Sequence, residues 1–184
     1  MGYVRTGWNG RYFEDFEVGD VYKHPLGRTI TEADNTWFTL LTLNTNQMHF
    51  NDNYALKSSF GKQLVNSGLT VALVLGQSVS DISQNAVANL GWENIELKHP
   101  VFVGDTLYAE SIVLSLRESK SRPYAGIVKC YTRGLNQDGD VCVTWIRAVM
   151  IYRKDTAFIK EHFPIAKTEP LETMVFDQIG EEGD

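Results

Sequence analysis

Hydrophobic patterning divides the 184-residue chain into a helical part and a later strand-rich part. Apolar residues recur near helical spacing after Thr31, which suits a helix N-cap, and this helix is expected to end near Leu43. A second helix is predicted over residues 67–80, where residues 71–75 are apolar on every side. A helix of that kind has to be surrounded by protein.

After Gly91 the sequence alternates in the manner of β-strands. A short strand is predicted over 92–97, and longer strands are predicted over 106–117, 126–135 and 141–153. Asp138-Gly139 is a hairpin signal between the last two strands. Residues 21–28 are expected to form an edge strand, because Pro25 cannot donate a ladder hydrogen bond. The simplest fold that buries this helix is α+β, with a curved antiparallel sheet wrapped around the apolar helix.

Composition and charge argue against several classes of protein. The formal net charge is -6 without a basic stripe, which argues against a nucleic-acid partner. The longest apolar run is too short to span a bilayer, and residues 1–10 lack the apolar core of a secretory signal. Cys130 and Cys142 lack the spacing of a zinc site and are expected to be buried free thiols. We therefore expect a cytoplasmic protein that binds neither membrane nor metal.

The chemistry is expected where a polar segment, residues 44–49, joins the two helices. The imidazole of His49 can take a proton from water near neutral pH. Gly68 opens the second helix, whose first amides lack intrahelical acceptors and can face a polarised carbonyl. Singly, His49 also fits a structural role in a loop and Gly68 a tight helix entry. Together they form a minimal set for adding water beside an activated carbonyl.

These residues resemble the hydratase motif of the MaoC-like dehydratases, which include the (R)-specific enoyl-CoA hydratases. The resembling segments are residues 44–55, 60–62, 66–68 and 100–107, and the similarity covers most of residues 10–154. It implies a hot-dog fold, in which an antiparallel sheet wraps a long helix. It also implies reversible hydration of a 2-enoyl-CoA thioester without a metal or redox cofactor, usually in a homodimer or dimer-based oligomer.

The resemblance implies roles for individual residues. His49 matches the catalytic histidine, Gly68 the residue whose amide binds the thioester oxygen, and Asn46 the asparagine that supports the motif loop. Ser67 is expected to contact substrate beside Gly68. Asn44 occupies a position that usually holds an aspartate, so His49 would be the only base of the pair.

The asparagine at position 44 and residues 25–32 look most like a subgroup acting on branched C5 dicarboxylyl-CoA esters such as mesaconyl-CoA or itaconyl-CoA. Two like charges about 4 Å apart repel by roughly 4 kcal/mol at an effective dielectric of 20, so an asparagine there would tolerate a substrate carboxylate. Arg28 is the candidate cation for that carboxylate, with a surface salt bridge as the alternative. Candidates for contact with CoA are Arg117, Lys120 and Arg122. A solvated loop is the alternative for those three.

We expect one hot-dog domain over residues 11–157, an N-terminal extension over 1–10, and a C-terminal extension over 158–184 with a mobile end. Two other functions stay open. A hot-dog thioesterase is disfavoured because residues 67–80 contain no carboxylate to direct water. An acyl-CoA-binding module without catalysis gains its support from Asn44.

Overall fold

A computed structural model describes residues 5, 7–155, 164–168 and 171 of the chain. Most of the predicted C-terminal extension, and residues 1–4 and 6 of the N-terminal one, lie outside the described residues. The predicted domain limits therefore stay predictions.

In the part of the chain that the structure describes, six antiparallel strands form the sheet. They are β1 (Val21–Lys23), β2 (Arg28–Thr29), β3 (Ala86–Leu97), β4 (Thr106–Glu118), β5 (Ala125–Leu135) and β6 (Val141–Tyr152). The strand order is β1-β4-β5-β6-β3, and β2 also pairs with β4. The three long strands predicted after residue 105 are confirmed to within a residue or so of their ends.

Two strand predictions need correction. The short strand expected over 92–97 begins at Ala86, because register shifts against β6 on both sides of Gly91 break the period of two that reveals a strand. The strand expected over 21–28 is split into β1 and β2, with Pro25 in the gap between them. The predicted hairpin between β5 and β6 is confirmed, and Asn136 closes it by accepting from the amides of Asp138 and Asp140.

Within residues 7–85, three α-helices precede the long strands. They are α1 (Glu32–Leu41), α2 (Asp52–Ala55) and α3 (Ser67–Gln77), and a π-helical turn, Val79–Ser83, extends α3. Thr31 caps α1 as predicted, in a capping box with Asp34. The cap of α2 is Asn51, whose side chain accepts from the amide of Tyr54.

Helix α3 packs on the sheet in a hot-dog arrangement, as expected. Val74 is fully buried, and a β-carbon at Gly134 of β5 would lie 2.5 Å from the Val74 Cγ2, so glycine allows the close approach of helix and strand. Ala72 and Gly76 are exposed, so the single chain covers α3 on one side only. Cys130 and Cys142 are buried free thiols, as predicted. Among the described residues, no helix is long and apolar enough to cross a membrane.

Helix α1 has an inverted distribution of polarity. Its two buried residues are Asn35 and Thr39, each 0% exposed, whereas Trp37 is 75% and Leu41 82% exposed. A surface helix normally turns its apolar stripe inward. The inward polar face of α1 therefore serves a purpose other than filling the hydrophobic core.

Candidate active site

The loop that carries His49 starts from a fixed turn at the end of α1. The amide of Leu43 donates to the carbonyl of Leu40 and the amide of Asn44 donates to that of Thr39, both at 3.0 Å, which is a Schellman motif. Leu43 has a φ of 59°, in the left-handed region that costs a residue with a β-carbon roughly 1–2 kcal/mol. This turn directs the chain from α1 into the polar segment.

The two asparagines of that segment hold its backbone. The Asn44 Oδ1 accepts from the Asn46 amide at 2.9 Å, and the Asn46 Oδ1 accepts from the Met48 amide at 3.1 Å. These contacts build a 3₁₀ turn, Gln47–His49, with Asn46 as its N-cap. The loop-supporting role expected of Asn46 thus has a structural basis, and Asn44 shares it.

His49 is 7% exposed and is held through one ring nitrogen. Its Nδ1 lies 2.7 Å from the carbonyl oxygen of Leu64. A carbonyl can only accept, so Nδ1 carries a hydrogen, and in the neutral form of the ring Nε2 presents a lone pair. Nε2 has no hydrogen-bond partner among the described residues. The contact at Nδ1 therefore selects the tautomer of the neutral ring in which Nε2 is the basic nitrogen.

The N-terminus of α3 revises the expectation for Gly68. Asn66 is the N-cap, and its Oδ1 accepts from the Gly68 amide at 2.9 Å. A β-carbon at Gly68 would lie 3.2 Å from that oxygen and 3.2 Å from the Phe38 ring, so glycine suits this crowded position. The amide of Ser67, one position earlier, has no acceptor in the described part of the chain. Ser67 thus offers an amide donor that is open to a ligand. The Gly68 amide could bind a ligand only by sharing or giving up its hydrogen bond to Asn66.

Sequence reasoning missed the two residues of α1 that join the base to this helix, and it did not assign the cap role of Asn66. Asn35 donates to the carbonyls of His49 (2.8 Å) and Leu64 (3.1 Å) and accepts from the amide of Asn66 (2.9 Å). The Asn66 side chain in turn donates to the Thr39 hydroxyl at 3.1 Å. The only signal in the sequence is a pair of polar residues, Asn35 and Thr39, four positions apart on α1.

A cavity of about 220 Å³ opens beside Ser67, between the start of α3 and the segment that follows β3. Its lining includes Thr70, Lys98 and His99. Lys98 pairs with Glu96, and His99 lies 3.8 Å from a carboxylate oxygen on the neighbouring hairpin. The cavity therefore places two basic side chains near the open amide.

Arg28 forms an ion pair with Asp34 at the start of α1. Its Nη2 donates to both carboxylate oxygens of Asp34, at 2.8 and 2.9 Å. Hydrogen bonds from Thr31, followed by the charge of Arg28, hold the pKa of Asp34 below its ordinary value of 3.8. This contact supports the alternative of a salt bridge, and carboxylate binding by Arg28 stays a prediction.

The predicted CoA contacts lie at the turn between β4 and β5. Arg117 pairs with Ile127, whereas α3 meets β5 at Gly134. Those two positions on β5 are roughly 23 Å apart at about 3.3 Å per residue. Lys120 and Arg122 follow Arg117 in the turn. The three residues are thus not brought together with His49 within one chain, and their role stays a prediction.

A second buried histidine, His24, belongs to a separate polar cluster. Its Nδ1 lies 2.8 Å from the Asp81 carboxylate and its Nε2 lies 3.0 Å from the Ser111 hydroxyl. Burial lowers the pKa of His24 below its ordinary value of 6.5, although Asp81 opposes the shift. Asp81 also binds Arg11 at 2.7 Å. No three His, Cys, Asp or Glu side chains of the described residues are grouped so that they could hold a metal ion.

Comparison with known proteins gives the family of the chain. A family model described as mesaconyl-CoA hydratase matches residues 2–162. A mesaconyl-CoA hydratase of Cereibacter sphaeroides is 38% identical over 148 residues, covering 80% of this chain and 43% of that protein. The chain thus spans less than half the length of this relative.

Shorter relatives match over most of their length. The (R)-specific enoyl-CoA hydratase of Aeromonas caviae is 30% identical over 131 residues, covering 71% of this chain and 92% of that protein. The structure of a MaoC-like dehydratase from Rhodospirillum rubrum aligns with a TM-score of 0.69 and 28% identity, over 79% of this chain and 99% of that one. The chain belongs to the mesaconyl-CoA hydratase family of MaoC-like, hot-dog proteins.

Proposed function

We propose that the protein is a hydro-lyase that adds or removes water reversibly across the 2,3 double bond of an enoyl-CoA thioester. The observation that carries the proposal is the state of His49, whose Nδ1 is committed to the Leu64 carbonyl while Nε2 is free. Leu64 lies three residues before Ser67, so the anchor of the imidazole is within about 11 Å of the open amide along the chain. This short separation supports a site in which a base and an oxyanion donor flank one substrate.

In the hydration direction, the Nε2 of His49 takes a proton from water as the water oxygen bonds to C3 of the substrate. Electrons of the double bond move onto the thioester oxygen, which accepts hydrogen bonds from the amide of Ser67 and from that of Gly68 once Asn66 shares it. The imidazolium then returns its proton to C2, and the enolate collapses to the hydroxyacyl thioester. No metal or redox cofactor enters these steps.

For the substrate class, we propose a branched C5 dicarboxylyl-CoA such as mesaconyl-CoA. The name of the matching family and that of the Cereibacter sphaeroides relative support this choice. The neutral Asn44 supports it by charge, because the resemblance to the wider MaoC-like dehydratases leads us to expect a carboxylate at this position. Candidates for the anionic groups of the substrate are Arg28, Lys98, Arg117, Lys120 and Arg122.

A second copy of the chain is the proposed partner. Strand β3 lies at an edge of the sheet and exposes Leu90, Trp92, Ile95 and Leu97, between 40% and 56%. A long apolar edge of this kind favours pairing with another strand. We propose a homodimer joined at β3 and located in the cytoplasm. Sedimentation velocity of the wild type and of a Trp92→Lys variant would test this interface.

The function is tested by an activity screen over mono- and dicarboxylyl enoyl-CoAs, followed by loss of enoyl absorbance, with His49→Ala as the control. We expect turnover by the wild type, best with a dicarboxylyl substrate, and none above background by the variant. Equal rates for the two proteins would overturn the enzymatic proposal and leave an acyl-CoA-binding module. Release of free CoA would indicate a thioesterase. The nearest carboxylate after α3, Asp81, is already held by His24 and Arg11, which disfavours that outcome.

A further inference from the structure

We propose that Asn35 is a positioning residue, which fixes the imidazole of His49 relative to the first amides of α3 without touching substrate. The inference rests on the proposed hydratase function and adds to it a residue outside the expected motif. It also explains why α1 turns a polar face inward.

Asn35 binds three segments that are distant in sequence. Its side chain is 0% exposed and contacts the main chain at His49, Leu64 and Asn66. These residues belong to the base loop, to the segment before α3, and to the cap of α3. One rigid carboxamide therefore sets the mutual placement of all three segments.

The carbonyl of Leu64 connects Asn35 to the tautomer of the base. That oxygen accepts from the Asn35 Nδ2 at 3.1 Å and from the His49 Nδ1 at 2.7 Å. A carbonyl oxygen has two lone pairs, so both bonds can form together. By orienting this carbonyl, Asn35 keeps the hydrogen on Nδ1 and the lone pair on Nε2.

A second contact from α1 fixes the cap itself. Thr39 lies one helical turn after Asn35 and accepts from the Asn66 Nδ2 at 3.1 Å. The other atom of that carboxamide, Oδ1, accepts from the Gly68 amide. The main chain of Asn66 is thus held by Asn35 and its side chain by Thr39, which sets how the Gly68 amide is shared with a ligand.

Only a carboxamide satisfies this position. Aspartate has the same shape but no donors, and it would place a charge against two carbonyl oxygens. Leucine would leave two main-chain groups, the carbonyl of His49 and the amide of Asn66, without partners, and would remove one of the two donors to the Leu64 carbonyl. The asparagine at position 35 is therefore required by the hydrogen-bond geometry rather than by packing.

The test compares Asn35→Asp with Asn85→Asp. Asn85 makes a matched control, since its Nδ2 also donates to two main-chain carbonyls, those of Asn9 and Arg11, away from His49. For Asn35→Asp we expect kcat to fall about 100-fold, with KM changed less than about threefold, because displaced catalytic groups lose rate more than binding. For Asn85→Asp both constants should stay at the wild-type value. Urea unfolding of each variant gives the folded fraction against which the rates are normalised.

A readout independent of turnover is the imidazole nitrogen spectrum of His49 by NMR. The wild type should show hydrogen on Nδ1, and Asn35→Asp should weaken that preference. An unchanged tautomer together with an unchanged kcat per folded molecule would overturn the inference. A changed tautomer with no hydration by either protein would support the positioning role and overturn the proposed function instead.

If Asn35→Asp does not fold, Thr39→Val replaces it. This variant keeps the shape of the side chain and removes the acceptor for the Asn66 Nδ2. We expect kcat to fall about threefold to tenfold with KM retained, as for a single displaced contact. A wild-type kcat in this folded variant would contradict the claim that α1 positions the cap of α3.

Discussion

His49 and His24 are alike in burial and differ in the use of their second ring nitrogen. They are 7% and 5% exposed, and each has its Nδ1 in a hydrogen bond shorter than 3 Å. The Nε2 of His24 is bound to the Ser111 hydroxyl, whereas the Nε2 of His49 has no partner among the described residues. Burial and one good hydrogen bond therefore do not separate a structural histidine from a base, but a free nitrogen does.

The comparison also shows how a catalytic-looking row of residues can be structural. Ser111, His24 and Asp81 follow one another at 3.0 and 2.8 Å, as in a nucleophilic triad. Yet Ser111 is 3% exposed, and its hydroxyl also lies 2.8 Å from that of Thr132. A nucleophile has to reach its substrate, so this row serves the packing of the sheet against the π-helical turn that carries Asp81.

The largest effect should come from exchanging each histidine for glutamine. His49→Gln removes the base, and hydration should fall by about 10²–10⁴-fold with the fold retained. His24→Gln should leave kcat per folded molecule unchanged. Stopped-flow or steady-state assays of enoyl absorbance measure both. Comparable losses of kcat in the two variants would contradict the distinction drawn from the free nitrogen.

The second effect is on stability and its dependence on pH. His24→Gln should lower the free energy of unfolding by about 1–3 kcal/mol, because Asp81 and Ser111 lose a buried partner. Burial, together with the charges of Arg147 and Arg11, lowers the pKa of His24 in the folded chain below 6.5 despite Asp81. The unfolded chain then binds the extra proton first, so stability falls as the pH drops below about 6.5.

Urea unfolding at about pH 7.5 and about pH 5.5 checks this dependence. Part of the loss seen in the wild type between these two values should be absent in His24→Gln. The Asp81 carboxyl changes the free energy of unfolding at a lower pH than His24 does. Burial would raise its pKa, but hydrogen bonds from His24 and Arg11 hold it below 3.8, and that stabilisation is lost as the pH falls through the folded value. The same loss between the two pH values in wild type and variant would contradict the assignment to His24.

Much of the fold and part of the candidate site could be predicted from the sequence, because the signals for them come from residues that are close together along the chain. Residue spacing and turn chemistry predict the cap at Thr31, the strands β4 to β6 and the polar loop before α3. The placement of the base also follows, since His49 belongs to a recognisable motif.

The rest depends on tertiary contacts. The role of Asn35 was hidden because α1 shows exposed apolar residues, so periodicity alone indicates the wrong inner face. The Gly68 amide looked free because its partner is a side-chain rotamer of Asn66, which no sequence pattern specifies. The ion pair of Arg28 with Asp34 likewise appears only once the helix cap is built.

The third effect concerns Asn44, which lies in the loop that carries the base. Asn44→Asp keeps the acceptor that holds the Asn46 amide, so the loop should persist. It adds a carboxylate, and the rate should then depend on a second ionising group besides His49. Repulsion should raise KM for a dicarboxylyl enoyl-CoA by about tenfold, less than the roughly 4 kcal/mol limit for bare charges 4 Å apart. Equal KM changes for charged and neutral enoyl-CoAs would remove the charge argument for the substrate class.

The smallest effect should come from Arg28→Ala. The Arg28 side chain is 46% exposed and pairs with Asp34, whose capping bonds with Thr31 remain in the variant. An exposed pair of this kind contributes about 0.2–1 kcal/mol to stability. We expect a loss within that range by urea unfolding, with unchanged kinetic constants if the salt bridge is the whole role of Arg28. A rise in KM confined to dicarboxylyl substrates, with Arg28→Lys restoring part of it, would instead assign the substrate carboxylate to Arg28. The free nitrogen of His49 would then face a site whose charge recognition begins at the start of α1.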